Sequence, residues 1–307
     1  MKLFVTGATG VIGRRAVPLL VKRGHHVTAL VRSPGSEAVL LGVGARPTFV
    51  DLFDLGALSS VVAGHDVVVS LATHIPSSSF HMLLPSAWRE NDRIRSVASA
   101  NLVDAAIASG VQRFIQESFA PVYPDRGGAW IAEHTPIAPV RYNRTIEDAE
   151  RAALRFTESG RTGIVLRFGA FYGSDAVQTL DLIKFVRKGW APIPGAADAF
   201  ISSVSHDDAA TAVVAALDAH AGIYNVVDDE PLSHRAYIDA LAAALGVAPP
   251  KLPPPWVAHL FGSLGELLAR SVRISSRKFK RETSWTPKYP SVREGWRAVV
   301  SALGRAA

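Results

Sequence analysis

Short β-branched apolar runs alternate with longer stretches of helical periodicity through the first half of the chain. Runs such as LFVT, HVTALV and DVVVSL are almost continuously apolar, the pattern of strands buried on both faces. They predict strands at 2–6, 26–31, 46–50, 66–71, 113–116 and 163–167. Apolar residues recurring every three or four positions predict helices at 11–23, 55–62, 88–109 and 142–158; Pro18 is expected to kink the first. Strand-helix alternation of this kind requires right-handed crossovers, so the expected fold class is α/β, a doubly wound parallel sheet. The second half changes character. Residues 233–245 and 291–303 read as helices, and KLPPPW reads as a stiff connector. A nucleotide-binding domain is expected over 1–169 and a smaller, mostly helical substrate lobe over 170–307, with ISSVSHDD and GIYNVV (within 200–228) returning to the sheet.

LFVTGATGVIG sets Gly7, Gly10 and Gly13 directly after the first strand and at the opening of a helix. Such glycines permit a tight turn, close backbone approach to a pyrophosphate, and close packing of helix on strand. Helix N–H groups then face the phosphates, with Thr6 and Thr9 adding hydroxyls. The sheet is therefore expected to be of Rossmann type and to bind a dinucleotide. The second strand ends in Arg32 and Ser33, where an NAD-preferring protein carries an acid for the ribose 2′-hydroxyl. A guanidinium there suits a 2′-phosphate, so NADP(H) is expected ahead of NAD. Asp51, closing FVDL, is placed either to accept from the adenine amino group or to cap a turn.

With 307 residues and 48% hydrophobic content, the chain is able to bury a large core. It has no cysteine, which excludes disulfides, thiolate metal sites and a cysteine nucleophile and fits a reducing compartment. No leader-like apolar segment precedes the glycine turn, and the apolar stretch 256–268 is short and broken by Gly262, Gly265 and Glu266. A cytoplasmic protein without a membrane partner is expected. The net charge of +6 is partly concentrated in ARSVRISSRKFKR, 269–281, which is either a solvated helix face or a site for an anionic group. Its one aromatic, Phe279, is too little for a nucleic-acid surface, so the expected partner is a small molecule.

TGATGVIG, DVVVSLAT, ASANLVDAA, VLRFGAFYG, ISSVSHDDAATAVVAAL and GIYNVVDDEP follow one another as do the motifs of the extended short-chain dehydrogenase/reductases. The chain resembles that superfamily of NAD-dependent epimerases, dehydratases and reductases over nearly its whole length. The resemblance implies cofactor contacts from Gly7, Gly10, Val11, Ile12, Arg32, Asp51, Leu52, Leu71, Ala72 and Thr73, with Phe168 to Phe171 beside the nicotinamide. It implies a catalytic tyrosine at Tyr142 and a serine near Phe119, where the neighbouring Ser118 is the candidate. The lysine expected four residues after the tyrosine is Ile146. The family often dimerises through helices equivalent to 88–109 and 142–158, so a monomer or a homodimer is expected.

Without the lysine, a tyrosine of pKa near 10 is phenolate in only about one molecule in a thousand at neutral pH. That is a poor base for epimerisation or dehydration, but a neutral phenol is able to protonate the alkoxide left by hydride addition to a ketone. Ser118 is a candidate to orient the carbonyl, and His74 or a phenol on the substrate to give the proton instead. Phe80, Met82, Trp88, Phe119, Trp130, Phe171, Trp190 and Phe200 fall in loops and element ends, where they either sandwich a flat ligand or join the core. The expected function is NADPH-dependent reduction of an apolar, aromatic natural-product ketone, as in atypical polyketide ketoreductases. Two alternatives are a nucleotide-sugar epimerase or dehydratase, with Arg270, Arg273 and Lys278 clamping a diphosphate, and a non-catalytic NADP-binding sensor or assembly protein.

Overall fold

A computed structural model describes residues 1–76, 78 and 81–306. Its main sheet contains β1 (Lys2–Thr6), β2 (His26–Leu30), β3 (Arg46–Thr48), β4 (Val67–Ser70), β5 (Arg113–Phe119), β6 (Thr162–Phe168) and β7 (Gly222–Val226). All pair parallel, in the order β7-β6-β5-β4-β1-β2-β3. The helices that bear on the site are α1 (Gly13–Lys22), α2 (Leu55–Val62), α3 (Ser99–Ala108), α4 (Ile146–Glu158), α5 (Val177–Arg187), α6 (His206–Ala215), α7 (His234–Leu245), α8 (Gly262–Ala269) and α9 (Val292–Ala306).

Alternation along β1 explains the layers. Leu3 and Val5 pack with Ala16, Val17 and Leu20 of α1 and with α6, whereas Phe4 packs with Leu58, Leu102 and Phe156 of α2, α3 and α4. Both faces are covered, which is why the strands are uninterrupted in apolar residues. The winding reverses between β1 and β4, and ligands of open α/β sheets bind in the crevice beyond the carboxyl ends at that point.

Beyond β6 the chain builds a lobe of α5, α7, α8 and α9 with paired short strands. Tyr172, Ile183, Tyr237, Ile238, Leu241 and Trp296 form its core. GIYNV joins the main sheet as the edge strand β7, but the ISSVS segment does not. β7 occupies the edge of β6 that the segment would need, so Ser203–Ser205 pairs instead with Ala170–Tyr172, beyond the end of β6. The expected helix at 142–158 starts only at Ile146, because residues 141–145 form turns held by Asn143 Oδ1, which accepts from Val140 N–H. The expected helix at 88–109 is composite: Arg89–Arg93 is α-helical, Ile94–Ala98 a π turn, and α3 follows.

His234 is fully buried at the start of α7, and neither ring nitrogen is hydrogen-bonded among the described residues. Burial pushes its pKa down to about 4. The folded value lies below the unfolded one, so between roughly pH 6.5 and 4 the unfolded chain binds the extra proton and stability falls as pH falls. The loss is expected to total about 3 kcal/mol, and His234→Leu to remove it. Urea midpoints at pH 7 and pH 5 for both proteins measure the difference; parallel pH dependence would exclude His234 as its source.

Candidate active site

The crevice is bounded by the loop after β1 and the loop after β4. Gly7 has φ +67, and a Cβ there would lie 2.4 Å from Leu71 O. A Cβ on Gly13 would lie 2.1 Å from Gly7 O, so the turn closes only on glycine at both places. Gly10 N–H donates back to Gly7 O at 3.0 Å, Ile12 is the N-cap of α1, and Val11 remains half-exposed beside Thr9 at the mouth. Across the crevice, Leu71 N–H bonds Thr6 O, and Ala72 N–H bonds Thr6 Oγ1 at 3.3 Å. The loop is therefore shaped by the protein's own hydrogen bonds, with Thr9 and Gly10 exposed ahead of α1.

Arg32 and Ser33 are exposed at the end of β2, and among the described residues Arg32 makes no ion pair. Asp51 Oδ1 accepts from Phe53 N–H at 3.0 Å and so caps its turn, leaving the other oxygen for a ligand. Asn101 of α3 holds the adjacent Leu52 carbonyl at 3.2 Å. A dinucleotide fits this set of donors and acceptors.

At the nicotinamide end, the loop after β4 and the turn before α4 are tied to one helical segment. Asn91 Oδ1 accepts from His74 N–H at 3.0 Å, Asp92 Oδ1 from Thr145 Oγ1 at 2.8 Å, and Trp88 meets the Tyr142 ring edge-on at 4.6 Å between centroids. The His74 side chain is exposed and makes no hydrogen bond among the described residues, whereas the Tyr142 hydroxyl is buried without a partner. Burial raises the Tyr142 pKa well above the ordinary tyrosine value, and the nearby charge of Arg95 opposes the rise. Arg95 lies in the π turn, itself buried, with Nη2 3.7 Å from Glu117 Oε1 on β5. Burial likewise raises the Glu117 pKa. Arg95 is thus the cation beside the tyrosine, while Ile146 sits 1% exposed in the lysine position.

Ser118 is elsewhere occupied. Its hydroxyl donates to Glu150 Oε1 at 2.6 Å, and Glu150 also accepts from Arg167 Nε at 2.8 Å and Nη2 at 2.6 Å. Arg167 Nη1 donates to Tyr123 Oη, and Tyr123 donates to Asn225 Oδ1, both at 2.8 Å. This buried network joins the ends of β5, β6 and β7 to α4. Phe168, expected beside the nicotinamide, is fully buried in the sheet core; Phe171, half-buried and 5.4 Å from it between ring centroids, is the one that reaches the lobe cavity.

That cavity, of about 220 Å³, lies between sheet and lobe and is lined mainly by apolar groups, among them Phe119, Phe171, Leu182, Ile201, Tyr237 and Trp296. Of the other aromatics anticipated there, Trp88 packs on Tyr142, Trp190 is exposed, and Trp130 and Phe200 flank the Arg273 guanidinium at 4.3 and 4.8 Å. Met82 contacts Gln178, and Phe80 lies outside the described residues. The basic segment does not converge on one clamp: Lys278 donates to Ile223 O, Arg273 to Gly128 O, and Arg270 alone of the three lines the cavity.

A family model described as NAD(P)H-binding matches residues 7–220. The chain belongs to this family, within the extended short-chain dehydrogenase/reductases. It is 31% identical to a 3-diazoavenalumate denitrifying reductase from a Streptomyces species, covering 96% of this chain and 99% of that one. It is 26% identical to a 4-hydroxy-2-methyl-3-oxo-4-farnesyl-3,4-dihydroquinoline-1-oxide ketoreductase of Stigmatella aurantiaca, over 90% of this chain and 83% of that protein. Among solved structures, a human epimerase family protein with NADPH superimposes with a TM-score of 0.80 at 20% identity, over 98% and 99% of the two chains. The fold is therefore the expected one, and the chain is an NAD(P)-dependent oxidoreductase by its relatives. No helix among the described residues is long and apolar enough to cross a membrane.

Arg95, Glu117, Glu150, Tyr237 and Trp296 were not among the residues expected to shape the site. Glu117 adjoins Ser118 and Arg95 follows Trp88 by about two helical turns, but nothing in linear spacing pairs a helix cation with a strand acid. Trp296, the lone aromatic of its helix, was the one available signal.

Proposed function

We propose that the protein reduces a small, apolar, aromatic ketone by hydride transfer from NADPH. The observation that carries this reading is the apolar cavity bounded by Phe119 and Phe171, on the side of the sheet where a nicotinamide ring is expected. Its volume suits a single ring with a short chain better than a nucleotide sugar. When bound, the cofactor supplies the hydride. The aromatic walls hold and orient the acceptor, Trp88 and Ile146 keep water from the reacting end, and the Tyr142 Oη–H gives its proton to the new alkoxide. Because an alkoxide is more basic than a phenolate, a phenol of raised pKa is still a competent donor, although it is a worse base than an ordinary tyrosine. Epimerisation is disfavoured on the same ground.

Tyr142 is not among the residues that line the cavity, which favours a second reading, in which the acceptor needs no proton. Hydride added to an aryl diazonium carbon gives the arene and releases dinitrogen, with the electron pair of the C–N bond leaving on nitrogen. A relative named as a denitrifying reductase of a diazo compound makes this reading concrete.

Arg32→Ala is expected to weaken NADPH binding about 10- to 100-fold and leave NADH within about twofold, read by cofactor fluorescence. In turnover of aromatic ketones, Tyr142→Phe is expected to lower kcat by roughly 100-fold or more. Equal ketone turnover in the variant would transfer the proton step to the substrate, and NADPH binding without turnover of ketones or aryl diazonium salts would leave a sensor.

A further inference from the structure

The lobe cavity combines apolar walls with an unusual set of polar atoms. Ser202 Oγ donates to Val272 O and accepts from Ile274 N–H and is fully engaged, whereas Thr179 Oγ1 only accepts, from Gly173 N–H, and Gln178 Nε2 contacts Met82 Sδ, so each of these two keeps a neutral donor. Three other lining residues retain donors. The Tyr237 hydroxyl has no hydrogen bond among the described residues, Trp296 Nε1 is buried without a partner, and Arg270 makes no hydrogen bond from Nε. None of the three offers a strong acceptor apart from the phenol oxygen.

Arg270 is the one charged residue among those lining the cavity. Its guanidinium is fixed by the main chain, Nη1 donating to Tyr123 O at 3.1 Å and Ala138 O at 2.6 Å, which positions the charge without neutralising it. Its carboxylate partner is Glu266, at 2.9 Å from Nη2, and the Glu266 side chain is 60% exposed. An exposed pair of this kind is weak and screened, so a better-buried carboxylate is able to displace it. A pre-positioned fork of donors in an apolar chamber selects a planar anion attached to an apolar body.

We infer that the substrate is an aryl or arylalkenyl carboxylic acid whose carboxylate is bound by Arg270, with Tyr237 and Trp296 as the neighbouring donors. This rests on the reading of the cavity as the substrate site and names the substrate class for it. Arg270 is a binding residue, distant in role from proton or hydride transfer, and Glu266 acts as its placeholder.

The test is calorimetric titration of the NADPH-saturated protein with cinnamate and, separately, with neutral methyl cinnamate. The wild type is expected to bind the acid at least about tenfold more tightly than the ester. Arg270→Gln, whose amide is uncharged and ends short of the guanidinium Nη atoms, is expected to erase that preference while leaving the ester within about twofold, and Arg270→Lys to restore part of it. Glu266→Gln, a surface change that leaves the fold untouched, is expected to tighten acid binding several-fold by removing the competitor. Equal binding of acid and ester by the wild type, or an acid preference that survives Arg270→Gln, overturns the inference and leaves the reductase reading standing. Failure of both ligands to bind while NADPH still does overturns the cavity as substrate site, and both readings with it.

Discussion

Glu150→Ala is expected to destabilise the protein by about 3–5 kcal/mol, the range for removing one partner of a buried ion pair. Glu150 is 3% exposed and accepts two hydrogen bonds from Arg167 and one from Ser118. Removing the carboxylate leaves the Arg167 guanidinium buried with Tyr123 Oη as its remaining acceptor, and strands the Ser118 hydroxyl. Glu150→Gln keeps the volume and is expected to lose somewhat less, because an amide oxygen accepts from one donor group while its NH2 opposes the others. Ser118→Ala removes a single hydrogen bond and is expected to cost about 1–2 kcal/mol. Urea denaturation of the three variants orders them. A Glu150→Ala protein within about 1 kcal/mol of wild type would mean that the pair contributes no more than a hydrophobic substitute would.

Gly7→Ala is expected to weaken NADPH binding by more than about 100-fold. The residue has φ +67, where a side chain is strained, and its Cβ would stand 2.4 Å from Leu71 O and 2.7 Å from Ala72 N. These atoms belong to the loop that forms the opposite wall of the crevice, so accommodating the methyl group moves both walls of the dinucleotide site. Gly10→Ala makes a useful contrast: its nearest approach to the protein is 3.2 Å, from Gly7 O, so any loss there reports contact with the cofactor more than distortion of the fold. Titration of intrinsic and cofactor fluorescence measures both. Gly7→Ala binding within tenfold of wild type would show that the loop yields and that the glycine is not required for the cradle.

Periodicity and glycine spacing made the sheet legible in advance. Strands buried on both faces have no polar alternation to confuse the reading, and Val67–Ser70 or Lys2–Thr6 admit little else. The glycine turn was equally readable, because the left-handed backbone of Gly7 and the approach of Gly13 to Gly7 O are demands set within the turn itself, although the clash of a Gly7 Cβ with Leu71 O comes from a distant loop. The helix boundary at Ile146 was less so: Tyr142 fits helical spacing, but a turn locked by Asn143 takes its place, and capping by a side chain onto a residue three positions back leaves only a faint local trace.

What the linear order determined, then, is the doubly wound sheet, the position of the dinucleotide loop, the absence of the lysine and the cationic end of β2. Only the tertiary structure decided that Ser118 faces Glu150, that Arg95 stands beside Tyr142 and Glu117, that ISSVS pairs outside the main sheet, and that Arg270 parts company with Arg273 and Lys278 to line an apolar cavity. The division has a physical cause. Burial patterns and backbone strain are set within a few residues of chain, whereas the partner of a buried charge is whichever group the packing of distant elements brings within hydrogen-bonding distance.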